Sequence, residues 1–194
     1  SVKSVLSGLD AAERAGFSPV KINSVVIRGL NDHTIVDTAR YFKERGHIVR
    51  FIEYMDVGNL NGWKMDEVVT AKEIVDLIHR EMPIEPVTST YRGEVANRYR
   101  YLDGSGELGV IASVTKPFCG ECTRLRLSPE GELFTCLFGT SGTDIREHVR
   151  SAASDDDIET VIRKTWATRA DRYSEKRTSK TELRRKVEMY HIGG

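Results

Sequence analysis

All the cysteines of the chain, Cys119, Cys122 and Cys136, lie in one stretch, FCGECTRLRLSPEGELFTC at 118–136. Two cysteines three residues apart in a tight loop can offer both sulfurs to one metal ion or cluster, and Gly120 lets the backbone turn between them. The third sulfur must return from elsewhere, and a hairpin supplies the route. Ser128-Pro129-Glu130-Gly131 suits a type I turn with proline at its first central position. The glycine after it takes the left-handed region, which gives a three-residue loop with a bulge. That turn sets Ser128 opposite Glu132 and Cys136 opposite Arg124. Side chains alternate between faces along a strand, so Cys122, Arg124, Arg126 and Cys136 are expected on one side. A slip of one residue would send Cys136 to the other face.

A structural zinc ion takes four protein ligands, so a histidine, His148 or His191, would have to complete this set. Iron–sulfur clusters also take thiolates, and three of them leave one iron of a [4Fe–4S] cluster free to bind a substrate atom. Arg124 and Arg126 add two rigid forks for anionic oxygens, phosphate above all. The spacing alone leaves three readings open: an open cluster or catalytic metal, a zinc site closed by histidine, and chance. The bland reading of the two arginines is a solvated strand face.

The elements that must carry these residues begin with a strand over 18–28, SPVKINSVVIR, that ends at Gly29. Asn31 is expected to cap a helix over 33–45 that ends at Gly46, with Ile35, Ala39 and Phe42 on one face. A second strand covers 48–57. Thr70 and Glu73 form a capping box that opens a helix over 71–82, with Ile74, Leu77 and Ile78 inward. Strand, helix, strand, helix is parallel α/β patterning. From residue 84 the rhythm changes. Segments 97–103 and 108–115 flank DGSGE, a hairpin signal. Helical segments follow at 143–152 and, capped by Ser154, at 155–173. The charged stretch 174–189 reads as a solvated C-terminus.

The chain has 194 residues, 39% apolar and 30% charged, which is ordinary for a globular protein. Lysine plus arginine equal aspartate plus glutamate at 29 each, which argues against a dedicated nucleic-acid binder. No window approaches the roughly 18 consecutive apolar residues of a membrane span. Three clustered cysteines are not a disulfide scaffold; they suggest a reducing, cytoplasmic setting and a metal. The start, SVKSVLSGLD, lacks the pattern of a signal peptide and reads as that of a fragment.

Four stretches then carry a resemblance: VKINSVVIRGLND at 20–32, RFIEYMDVG at 50–58, FCGECTRLRLSPEGELFTCLF at 118–138, and the terminal Gly-Gly at 193–194. Together, in this order and spacing, they resemble the C-terminal half of the GTP 3′,8-cyclases of molybdenum cofactor biosynthesis, a radical S-adenosylmethionine family. The resemblance implies an α/β fold. Residues 1–83 would supply the last βα units of a partial (β/α)6 TIM-like barrel. Residues 84–194 would form a C-terminal α+β layer with the auxiliary cluster, the GTP site and the tail.

It further implies a [4Fe–4S] cluster on Cys119, Cys122 and Cys136, with GTP bound at its open iron. Arg124, Leu125 and Arg126 match the GTP-contacting run, Lys21 a phosphate-side lysine, and Met55 a residue touching S-adenosylmethionine. Gly193 and Gly194 match a tail that reaches into the active site. In the family, a 5′-deoxyadenosyl radical takes hydrogen from C3′ of the ribose, and the C3′ radical attacks C8 of guanine. Without the family, Met55 reads as core, Lys21 as half of a rim salt bridge, and Gly193-Gly194 as a frayed end. Lys21 and Asn23 alternate with Ile22 and could face a barrel lumen. Phe51, Glu53 and Met55 share a face, and a lone Glu53 in a lumen would mark a polar active site.

The family's Cys-x3-Cys-x2-Cys motif, which holds the cluster that binds S-adenosylmethionine, is absent from these residues. The expectation is therefore a GTP- and cluster-binding half, inactive alone, whose N-terminal half is missing and which pairs as a homodimer when whole. Two other classes compete: a zinc-stabilised interaction module, and the auxiliary-cluster domain of a different radical S-adenosylmethionine enzyme. The second usually carries more cysteines than three.

Overall fold

The computed structural model describes residues 1–177 and 186–192. They fall into two compact units, one of residues 1–55 and 65–117, the other of residues 56–64 and 118–194.

The first unit is built on one five-stranded sheet in the order β1-β2-β5-β4-β3. Strands β1 (Lys21–Val26), β2 (Ile48–Glu53) and β5 (Glu107–Ile111) run parallel, while β4 (Asn97–Tyr101) and β3 (Ile84–Val87) are antiparallel to their neighbours. The architecture is mixed α/β. Helix α1 (Val2–Arg14) opens the unit; α2 (Ile35–Glu44) joins β1 to β2, and α3 (Ala71–Glu81) follows β2. One face of the sheet takes the helices. Val26, Val49, Phe51, Leu108 and Val110 meet Ile35, Ala39 and Phe42 of α2 and Ile74 and Ile78 of α3 in one apolar cluster. Burying such side chains is the main stabilising term here, about 1.5–3 kcal/mol for each large one.

Local signals decide several boundaries. At α3 the Thr70 hydroxyl accepts from the Glu73 amide at 3.2 Å, and the Glu73 carboxylate accepts from the Thr70 amide at 2.8 Å, which is the expected capping box. Gly46, at φ 69°, ends the turn after α2 where a side chain would be strained. Asn31 departs from expectation. It makes no cap; a short 3-10 turn, Asp32–Thr34, precedes α2. Its side chain instead accepts from Ile27 N at 2.8 Å and donates to Val25 O at 2.9 Å, closing the turn after β1. Past residue 84 the chain stays in the same sheet, because β4 and β5 form the expected hairpin and β5 then lies parallel to β2.

The second unit has a small antiparallel sheet, β6 (Arg126–Leu127), β7 (Glu132–Phe134) and β8 (Thr143–Asp144), in that order. Helices α4 (Arg146–Arg150), α5 (Asp155–Ala167) and α6 (Tyr173–Lys176) follow. Ser154 and Asp157 form the cap that starts α5. The helix stops at Ala167, short of the expected 173. Beyond it, Arg169 and Asp171 turn toward the cysteine hairpin, and those contacts replace another helical turn. In the described part of the C-terminal stretch Glu175, Lys176 and Met189 are exposed as expected, but Lys186 is buried, and so is Ile192 beyond it. None of the described helices is long and apolar enough to cross a membrane.

Candidate functional site

Cys119–Glu121 form a single 3-10 turn, and the Cys122 amide reaches the Cys119 carbonyl at 3.4 Å. The hairpin closes in the expected register, with Arg126 opposite Phe134 and Leu127 opposite Leu133. Ser128 N donates to Glu132 O at 2.9 Å and Gly131, at φ 85°, takes the left-handed position. The ladder stops at Arg126, so Arg124 and Cys136 lie on open arms. One guanidinium joins those arms: Arg169 Nε donates to the Thr135 carbonyl at 3.1 Å and its Nη2 to the Cys119 carbonyl at 3.3 Å. The Thr135 hydroxyl bonds Asp171. The Gly120 amide donates to Glu175 Oε1 at 3.0 Å. A Cβ on Gly120 would meet Arg172 Nη2 at 3.3 Å, so glycine lets Arg172 and Glu175 close over the loop.

The three thiols are free and half-buried. Arg124 Nη2 lies 3.4 Å from Cys122 Sγ, and its guanidinium sits 5.0 Å above the Phe118 ring. The Phe138 amide points at Cys136 Sγ at 3.4 Å. Burial works against the Cys122 thiolate, but the Arg124 amide, the Arg124 guanidinium and Arg169 outweigh it and bring this thiol below its ordinary value. Burial pushes the Cys136 thiol up, helped by Asp171 and Cys119. Arg126 is pulled below its usual value by burial and by Arg124, against the thiols of Cys122 and Cys136. These mutual influences put the two arginines and the three cysteines in one neighbourhood. Leu125 between them is half-buried.

Two nitrogens here are buried without a hydrogen-bond partner, Arg124 Nε and Arg126 Nη1. Two like charges set side by side partly out of water, with unused donors, are costly until an anion joins them. Among the described residues no three His, Cys, Asp or Glu side chains converge closely enough to hold a single metal ion. His191, one of the two candidate fourth ligands, is engaged with Glu130 at 3.0 Å. His148 sits on α4.

The remaining candidates belong to the other unit or lie outside the described residues. Lys21 is exposed on the sheet face away from the helices. On that face Arg50 Nε donates to Asn23 Oδ1 at 2.8 Å, across the Asn23–Arg50 register pair. Gly109 makes room for Arg50, whose Cγ would lie 3.1 Å from a Cβ there. Met55 is half-buried two residues beyond β2. Gly193 and Gly194 lie outside the described residues.

Glu53 is a correction. It does not point to the sheet face away from the helices, the expected lumen side, but shares the helix-facing side with Val49 and Phe51, fully buried. Its carboxylate accepts from Ala71 N at 2.7 Å, Val114 N at 2.7 Å, Thr115 N at 2.8 Å and the Thr115 hydroxyl at 2.5 Å. Backbone donors satisfy it, so it fastens the end of β2 to the start of α3 and the segment after β5. It marks no active site.

Sequence reading passed over Arg169, Asp171 and Glu175, which hold the cysteine loop, and Asp56, which is treated below. None has a local signature, since each works through a partner 34 or more residues away.

A chain with a parallel-stranded α/β unit and a three-cysteine hairpin flanked by paired arginines can be compared with known proteins on that basis. Residues 47–175 match the family described as Molybdenum Cofactor Synthesis C, and the chain belongs to it. Curated relatives carry the name GTP 3′,8-cyclase. The protein of Acidothermus cellulolyticus is 49% identical over 98% of this chain and 59% of its own length. That of Xanthomonas campestris pv. campestris is 45% identical over 100% of this chain and 56% of its own length. That of Staphylococcus epidermidis is 42% identical over 98% and 57%. The chain thus spans a little over half the length of these relatives.

Proposed function

We propose that this chain is the part of a GTP 3′,8-cyclase that carries a second [4Fe–4S] cluster and the GTP site. The single observation that supports it most is the half-buried Arg124–Arg126 pair, each with a buried, unused N–H group, beside three half-buried thiols. Cys119, Cys122 and Cys136 would hold the cluster. A four-iron cluster carries its thiolates on separate irons, so it suits three sulfurs that do not crowd around one ion. Its anionic charge would answer both guanidinium groups. When bound, such a cluster supplies an iron without a protein ligand that can take a substrate atom.

The chain's own residues do the rest. Arg124 and Arg126 bind and orient the anionic nucleotide through charge-assisted hydrogen bonds, with Leu125 between them as an apolar wall. Lys21 adds a positive charge on the open face of the sheet, for phosphate oxygens. Met55 would contact S-adenosylmethionine in the complete enzyme, and Gly193-Gly194 would enter the active site, where residues without side chains fit a narrow space. The sheet of the first unit would be part of a partial (β/α)6 barrel whose other strands, with the radical-generating cluster, lie beyond these residues. The reaction converts GTP to its 3′,8-cyclised form in a reducing cytoplasm, and this chain alone does not catalyse it.

The test is anaerobic reconstitution with iron and sulfide followed by titration with GTP. About four irons and four sulfides per chain, and a GTP affinity that falls with Arg124→Ala and Arg126→Ala at unchanged iron, are expected. A colourless protein holding one zinc would remove the reading.

A further inference from the structure

Asp56 collects more buried charge than any expectation assigned to it. It is 4% exposed, in the loop of residues 56–64 that belongs to the second unit. Lys186 Nζ donates to its Oδ2 at 2.8 Å and also bonds its carbonyl oxygen. The Tyr173 hydroxyl donates to Oδ2 at 2.5 Å. Arg177 Nη2 forms an ion pair with Oδ1 at 2.8 Å. Side chains of Arg177 and Lys186 are 2% and 1% exposed. Phe138 and Tyr173, stacked with ring centres 4.5 Å apart, lie against both cations at 4.7–5.6 Å. One carboxylate is thus the counter-ion that two desolvated cations share.

The same loop grips the chain at Lys186 and Glu188. Lys186 N donates to Asn59 Oδ1 at 2.9 Å, and Asn59 Nδ2 donates to Lys186 O at 2.7 Å. The Asn59 amide and Nδ2 both reach Glu188 Oε1 at 2.9 Å. At Gly58, φ 63°, a Cβ would come within 2.1 Å of Glu188 Oε2, so this close approach requires glycine. Beyond the grip, the segment touches the cysteine hairpin at two points. Val187 N donates to Gly139 O at 3.1 Å, and Gly139 N closes a turn onto Cys136 O at 3.2 Å. His191 Nε2 meets Glu130 Oε2 at the hairpin turn at 3.0 Å. Ile192 is fully buried.

We propose that Asp56 is a positioning residue: it seats residues 186–192, and that segment braces the hairpin bearing Cys136. The cysteine site would then depend on a carboxylate 80 residues away in sequence that touches none of its ligands (136 minus 56). The inference goes beyond the proposed function, and its test needs neither cluster nor GTP, so the two can fail separately.

The experiment is hydrogen exchange by mass spectrometry on the full chain without metal, with timed alkylation of Cys136. In Asp56→Asn, exchange at 186–192 and at 126–139 should quicken by about tenfold or more while α2, β1 and β2 keep their protection. Cys136 should be alkylated faster by a similar factor. Asn59→Ala removes the grip without stripping a buried charge, and should move the same regions in the same direction by less. It decides the matter if Asp56→Asn fails to fold. Loosening of 186–192 with an unchanged hairpin and an unchanged Cys136 rate would overturn the bracing. An unchanged 186–192 in both variants would overturn the seating as well.

Discussion

Two buried carboxylates, one in each unit, solve the same problem in opposite ways. Glu53 is answered by three backbone amides and a hydroxyl, with no cation among its hydrogen-bond donors. Asp56, three residues later, is answered by a lysine, an arginine and a tyrosine hydroxyl. Around Glu53 stands an apolar cluster in which the helices and sheet bury large side chains. Around Asp56 and the cysteines stand charges, aromatic rings and donors without partners. The first unit is held by burial and regular hydrogen bonding. The second is held by matched charge, and part of that charge, at Arg124 and Arg126, is left for something else to match.

The largest effect that would test this contrast is in the first unit. Phe51→Ala should lower unfolding stability by about 3–5 kcal/mol, because it opens a cavity where Phe51 is 1% exposed. Denaturant melts of the two proteins check it. Next, Glu53→Gln should cost about 3 kcal/mol, since an amide NH2 would face backbone donors that now point at a carboxylate. In the second unit the sign should change. Arg126→Met should leave the ligand-free chain as stable as before or slightly more so, by about 1 kcal/mol, because it removes a crowded buried cation. The same change should weaken GTP binding to reconstituted protein by about 1.5–3 kcal/mol. A clear loss of stability in the ligand-free chain would break the contrast.

Two smaller effects sharpen it. Thr70→Ala removes the α3 cap and should cost about 1 kcal/mol, read as a lower melting temperature. Glu73 carries the other half of that cap. The Thr70 amide and hydroxyl, then Arg28, bring its carboxyl down to about 2 from an ordinary 4.5. Because the folded value is the lower one, this contribution is present above pH 4.5 and is lost as the pH falls through about 2. Glu73 is 43% exposed, so solvent screening keeps the effect within about 1 kcal/mol. The stability advantage of wild type over Glu73→Gln should hold steady above pH 4.5 and shrink between pH 4.5 and about 2 in an acid titration.

Features set by neighbours in sequence were legible without coordinates. The Thr70–Glu73 cap lies within a single helical turn, and the Ser128–Glu132 register follows from one turn type. The helical faces of Ile35, Ala39, Phe42, Ile74 and Ile78 follow from periodicity and form the core. Only Arg126 of the two arginines lies in the paired strand, so alternation along the hairpin reaches Arg126 but not Arg124. Asn31 misled because a residue suited to capping also serves a tight turn, and the nearby Ile27 amide took its oxygen. Glu53 misled because alternation tells which residues share a face but not which face the helices cover.

Local chemistry, then, determined how the cysteine hairpin pairs and most of the strands and helices, though not the short strand Thr143–Asp144, where a helix over 143–152 is expected. Turn geometry, capping and side-chain period act over a few residues, so they can be read in order along the chain. Tertiary structure alone decided that Glu53 is a structural fastener, that Arg169 joins the two arms of the cysteine loop, and that Asp56 meets Arg177 and Lys186. Those outcomes depend on which groups lose water together, and partners far apart in sequence leave no periodic trace of that.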